Sequence, residues 1–129
     1  MKTTDATYNR PEGERVLDAP YVVTDINAAM VKLMNENGWE ETDCNGITLF
    51  KTDNLTTVLI CMHTGSRIGE NSIDGTVTLQ IVEGEVELTA EEEVLTLHTG
   101  QLMMLHHNVT HSILATEETV MLLTNHVCC

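Results

Sequence analysis

Two alternating runs joined by a glycine turn constrain this chain more than any other feature. In Thr76-Val77-Thr78-Leu79-Gln80-Ile81-Val82 apolar and polar residues take turns, so Val77, Leu79 and Ile81 share one strand face and the threonines and Gln80 the other. Glu83-Gly84 is a turn signal, and Glu85-Val86-Glu87-Leu88 alternates back from it as the second arm of a hairpin. The same grammar runs from Ile47 onward. It predicts strands over Ile47 to Lys51, Thr56 to His63, Arg67 to Asn71, Thr76 to Val82, Glu85 to Thr89, Val94 to Leu97, Leu102 to Leu105, Thr110 to Ala115 and Thr119 to Thr124. Turn residues recur about every 8–12 positions, the pattern of an all-β sandwich or barrel.

Ahead of the strands the sequence changes character. Met1 to Pro20 is polar and punctuated by Pro11, Gly13 and Pro20, and reads as a loosely held arm. Tyr21-Val22-Val23 is a short apolar run suited to a sheet edge or a dimer interface. Ile26, Ala29, Met30, Leu33 and Met34 then recur at the spacing of one helical face, with Thr24 or Asp25 as the cap, Gly38 as the stop and Trp39 folding back onto Leu33 or Met34. The expected organisation is one structural domain, with an arm and helix over 1–45 and the barrel over 46–129.

The stretches Ile68 to Leu88 and Thr99 to Ala115 resemble the paired motifs of the cupin superfamily, small antiparallel β-barrels of the jelly-roll type. Aligned back from Gly84, the first motif's two histidine positions fall on Asn71 and Ile73 and its glutamate position on Val77. Aligned from Gly100, the second motif keeps its histidine as His111, while His106, Asn108 and Ala115 stand where proline, glycine and asparagine are usual. The resemblance runs from Thr48 to His126. It implies a cupin-type jelly-roll barrel preceded by one helix, and a site lined by Asn71, Ile73, Val77 and His111, with one of the family's four metal-ligand positions retained.

A divalent transition ion asks for three or four imidazole, thiolate or carboxylate groups, and an amide with one imidazole falls short. An apolar cavity with two polar points suits a small organic molecule, with His111 and Asn71 meeting a carboxylate, carbonyl or phenol. The expected cofactor is therefore none, and the expected activity is binding without metal. A histidine that only bonds a nearby backbone carbonyl is the bland alternative for His111. The rival reading is a metal-dependent enzyme of dioxygenase or isomerase type, built on His111 with His107, His106 and His63. A third is a barrel filled by side chains, acting as a structural or regulatory module.

No nucleophile pairs with a base, and Cys61, inside an apolar strand, reads as a core thiol. Glu91-Glu92-Glu93 reads as a solvated hairpin loop rather than a calcium cage, and His98 and His126 as surface residues. Cys128-Cys129, with His126 nearby, is a possible soft-metal pair at a terminus. The formal net charge of −14 disfavours nucleic acid and anionic membranes. The opening residues lack the apolar core of a secretion signal, and the cysteines lack CxxC spacing. A cytoplasmic homodimer that takes a small-molecule ligand is the resulting expectation.

Overall fold

The computed structural model describes residues 2–3, 16–36, 39, 44–71 and 75–127, with residues 2, 3, 70 and 71 described by their backbone. All nine expected strands form. They are β3 (Cys44–Lys51), β4 (Leu55–Met62), β5 (Arg67–Asn71), β6 (Thr76–Glu83), β7 (Glu85–Ala90), β8 (Glu93–His98), β9 (Leu102–Leu105), β10 (His111–Ala115) and β11 (Thr119–His126). Two short strands precede them, β1 (Lys2–Thr3) and β2 (Val16–Asp18), paired with each other.

The nine strands build two antiparallel sheets, ordered β5-β10-β7-β8 and β3-β4-β11-β6-β9. They stack as a jelly-roll sandwich and do not close into one continuous barrel. Alternation decides which residues meet between them. Val77, Leu79 and Ile81 from β6 are buried against Val86 and Leu88 from β7 and Ile113 and Ala115 from β10. On β6 and β7 most outward residues are polar, so there the two-residue period of the sequence follows the inside-outside boundary.

β4 and β11 contribute to cores on both faces, which explains the unbroken apolar runs Val58 to Met62 and Val120 to Leu123 within them. Met62 and Met121 face the sandwich interior, while Leu59, Cys61 and Val120 face a second core under the helix. That helix is α1 (Ile26–Met34), capped by Asp25, whose carboxylate accepts from the Ala28 N–H at 3.1 Å. Ile26, Ala29, Met30, Leu33 and Met34 all point into this core, and Trp39 packs there too, as the apolar spacing predicts. The helix ends at Asn35, in right-handed conformation; Gly38 lies outside the described residues.

The N-terminal segment adds detail where it is described: Val16–Asp18 forms a strand, buries Leu17 and lies against β3. Tyr21-Val22-Val23 forms no strand and leaves Tyr21 82% and Val23 88% exposed. No described helix is long and apolar enough to cross a membrane. Burial pushes the Cys61 thiol up to about 11, in keeping with a core residue.

Candidate functional site

His111 opens β10 on its inward face and is 3% exposed. Across the sheet it pairs with Asn71 of β5 on one side and Ala90 of β7 on the other. Its Nδ1 lies 3.0 Å from the Val109 carbonyl. A carbonyl only accepts, so Nδ1 carries the hydrogen and donates, and in the neutral ring Nε2 is left with a lone pair. Among the described residues nothing hydrogen-bonds that second nitrogen.

His111 borders a recess of ≈ 390 Å³ at the rim of the four-stranded sheet, shared with Glu91, Glu92, Asn108, Thr110 and Ser112. Glu91 and Glu92 are the central residues of the β7–β8 turn, with φ of 51° and 65°; Asn108, in the turn before β10, has φ of 60°. Among the described residues these three are the non-glycine positions with positive φ, and all three border this recess. Left-handed backbone is costly for glutamate, and such conformations gather at ligand sites and switches. The carboxylates, on a chain of charge −14, give the recess a negative field.

The residues around this recess differ in part from those the sequence placed together. Val77 is inward-facing as expected but lies 2% exposed in the packed core, against Leu79 and Leu105. The Asn71 backbone sits opposite His111, whereas Ile73 lies outside the described residues, as do Cys128 and Cys129. The recess that His111 borders is polar rather than apolar, and its carboxylates, amide and hydroxyls were not part of the sequence reading. Asn108, next to an expected turn and three residues before His111, was the available signal. The Glu91-Glu92-Glu93 run is indeed an exposed hairpin loop, yet its first two residues form one wall of the recess.

Among the described residues, the donors around His111 are too few for a transition-metal centre. Of the family's four ligand positions Val77 supplies no donor, and His111 supplies one imidazole nitrogen. Among the described residues the alternative histidines form no metal-holding group with it. His106 and His107 are exposed in the turn before β10. His63 belongs to the opposite end of that strand, because Gly65 and Ser66 bond to Ala115, the last residue of β10. Four residues of strand separate the two ends, roughly 13 Å. Among the described residues no three His, Cys, Asp or Glu side chains form a metal-holding group.

His63 has a different task. Its ring stacks on Trp39 with centroids 3.5 Å apart. Nε2 lies 2.7 Å from the Trp39 carbonyl and Nδ1 3.0 Å from Glu118 Oε1. Both partners are acceptors, so both contacts together require the imidazolium. The Thr64 N–H donates to the other Glu118 oxygen. The hydrogen bond from His63, with those from Thr64, holds the Glu118 carboxyl below its ordinary value of 4.5 in spite of some desolvation. A depressed carboxylate stabilises the folded state above its unfolded pKa, and the contribution is lost as pH falls through the folded one. The melting-temperature gap between wild type and Glu118→Gln is thus expected to be open near neutral pH and to close below the ordinary carboxylate range. A gap unchanged at low pH would show that the carboxylate charge has no part in this contact.

No protein-family model matches the chain, and no curated protein does. Solved structures do. A conserved protein of unknown function from Streptococcus pyogenes superposes with a TM-score of 0.70 at 22% identity, over 88% of this chain and 92% of that one. A cupin superfamily protein from Desulfitobacterium hafniense gives 0.66 at 19% identity, over 68% and 81%. Salicylate 1,2-dioxygenase from Pseudoaminobacter salicylatoxidans gives 0.59 at 15% identity, over 65% of this chain and 25% of that one. At these identities the likeness is one of architecture, and the chain has the cupin fold.

Proposed function

We propose that this protein binds a small organic molecule in the rim recess beside His111, without a resident metal. The observation that carries the reading is a nearly buried imidazole, with Nδ1 committed to Val109 and Nε2 hydrogen-bonded to nothing among the described residues, on a residue that borders a recess flanked by Glu91 and Glu92. Acceptors select donors. The ligand class this favours is an amine or a polyol, whose N–H or O–H groups meet the glutamates and the other acceptors at the recess rim. A carboxylate-bearing ligand, which the sequence alone made plausible, is opposed by Glu91 and Glu92. The same charge speaks against nucleic acid and anionic membranes as partners, and a reducing, cytoplasmic setting is in keeping with the reduced thiol of Cys61.

The test is ligand-observed NMR with matched sets of small amines, polyols and carboxylates against wild type and His111→Phe. Members of the first two sets are expected to bind wild type, and the variant to weaken them at least roughly tenfold, the scale of one lost hydrogen bond. Selective binding of carboxylates, or equal binding by the variant, would retire the proposal. Elemental analysis of protein purified without chelator separates the rival: a transition ion close to one per chain would restore the metallo-enzyme reading.

A further inference from the structure

Both ring nitrogens of His63 face acceptors, the Trp39 carbonyl at 2.7 Å from Nε2 and Glu118 Oε1 at 3.0 Å from Nδ1. These acceptors come from distant parts of the fold. Trp39 follows α1 and packs on the core under the helix, whereas Glu118 sits in the turn between β10 and β11. The ring thus ties the helical end of the chain to the sandwich, and it stacks on the Trp39 indole with the two planes 22° apart. Its side chain is 34% exposed, so it exchanges its proton directly with water.

A neutral imidazole has one hydrogen to give. The two acceptors then compete, and they are unequal. Glu118 is a carboxylate, and a hydrogen bond to an ionised acceptor is roughly twice as strong as one to a neutral carbonyl. The Thr64 N–H also holds that carboxylate in place. The remaining hydrogen therefore stays on Nδ1. Nε2 is left to turn a lone pair on the Trp39 carbonyl oxygen, and a contact at 2.7 Å that attracts with the proton present repels without it. The Trp39 N–H donates to the Glu36 carbonyl at 3.0 Å, a bond within the helical end that does not fasten it to the sandwich. Titratable groups on the elements around the ring are acids and thiols: Glu117 and Glu118 in the turn, Glu36 after the helix, and Cys44 and Cys61 on β3 and β4. Glu40, Glu41 and Asp43, beside Trp39 in sequence, lie outside the described residues. Two acceptors on the charged form, one of them anionic, make the ring titrate above its ordinary range.

We propose that His63 is a proton-operated latch: as imidazolium it holds Trp39 against the sandwich, and as neutral imidazole it releases Trp39 and opens the edge of the core under the helix. The direction follows from the two acceptors. The closed form is complete below the ordinary imidazole value, about 6.5, and is lost as pH rises through the higher value of the folded protein. Glu118 stays ionised throughout that range, so the latch is separate from the loss of its charge at low pH.

Trp39 is the only tryptophan in the chain, so its fluorescence reads the latch directly. An imidazolium stacked on an indole quenches it. Emission of the wild type is expected to rise in one step across the imidazole range, with a midpoint above about 6.5, and its quenching by added acrylamide to strengthen in the same step. Glu118→Gln is expected to lower the midpoint by about half a pH unit, the scale of one exposed ion pair, and His63→Gln to remove the step. His98→Gln, which alters a ring paired with Glu85 instead, is expected to leave it in place. The wild-type titration needs no substitution and decides the matter even where a variant fails to fold. A midpoint at the ordinary value, a step that survives in His63→Gln or vanishes in His98→Gln, or an unmoved midpoint in Glu118→Gln would each overturn the proposal. So would brighter emission with no gain in acrylamide access, because the ring would then titrate while Trp39 stayed docked.

Discussion

Gly84→Ala is expected to destabilise the protein by about 4 kcal/mol, near the upper end for one methyl group. Gly84 joins β6 to β7 with φ of 106°, a region L side chains rarely adopt. A Cβ built there would collide with the Glu118 carbonyl oxygen and lie 2.7 Å from Thr119 Oγ1 and 2.8 Å from Thr119 Cα. None of these atoms is free to move aside. Thr119 is 1% exposed, and its hydroxyl donates to the Glu85 carbonyl at 3.1 Å and the Glu117 carbonyl at 2.8 Å. The glycine's own N–H donates to Thr99 Oγ1 at 2.9 Å. Gly100 is the internal control, with φ of 87° but nothing within 4 Å of its would-be Cβ; Gly100→Ala should cost only the backbone strain, about 1–2 kcal/mol. Chemical denaturation of the two variants checks the ordering. Equal costs would mean that the turn after β6 does not press on the turn before β11.

The same glycine shows why the fold was legible. Where a strand has one wet face and one dry face, the sequence must alternate, and β6 and β7 on either side of Gly84 announce themselves in this way. The helix was equally plain, because a face of Ile26, Ala29, Met30, Leu33 and Met34 has no other economical use. Less visible was β2, whose Val16-Leu17-Asp18 is too short for periodicity to register. The barrel itself opens into two sheets, a difference set by edge pairing, which residue pattern does not encode.

The site was legible only in its anchor. The resemblance singled out His111, and the structure places it on the inward face of β10, but the groups beside the recess it borders come from the turns at Glu91-Glu92 and Asn108. Nothing in a pair of glutamates announces two consecutive left-handed residues, a geometry that usually draws asparagine and glycine. His63 shows the same limit. Its partners Trp39 and Glu118 are 24 and 55 positions away, and no local signal ties them together.

Leu33→Ala carries the other large effect, about 3 kcal/mol, and it tests whether the helix is part of the protein or an attachment to it. A helix of nine residues has almost no stability in water alone, so α1 persists because of what it buries. Leu33 is completely buried, and it meets Ile47 and Leu49 from β3, Leu59 and Cys61 from β4, and Val120 from β11. Asn45 of β3 reinforces the contact, its Nδ2 donating to the Leu33 carbonyl at 3.1 Å and to Glu36 Oε1 at 2.9 Å. Val31, two residues away and 55% exposed, should lose no more than about 0.5 kcal/mol on the same truncation. Because Leu59 and Val120 belong to the central strands of the larger sheet, helix and sheet share one core, and the near-ultraviolet signal of Trp39 and the far-ultraviolet signal of the strands should melt together in Leu33→Ala. Loss of the Trp39 signal at a lower temperature, with the strands unaffected, would instead make residues 1–45 an appendage that the sandwich does not need.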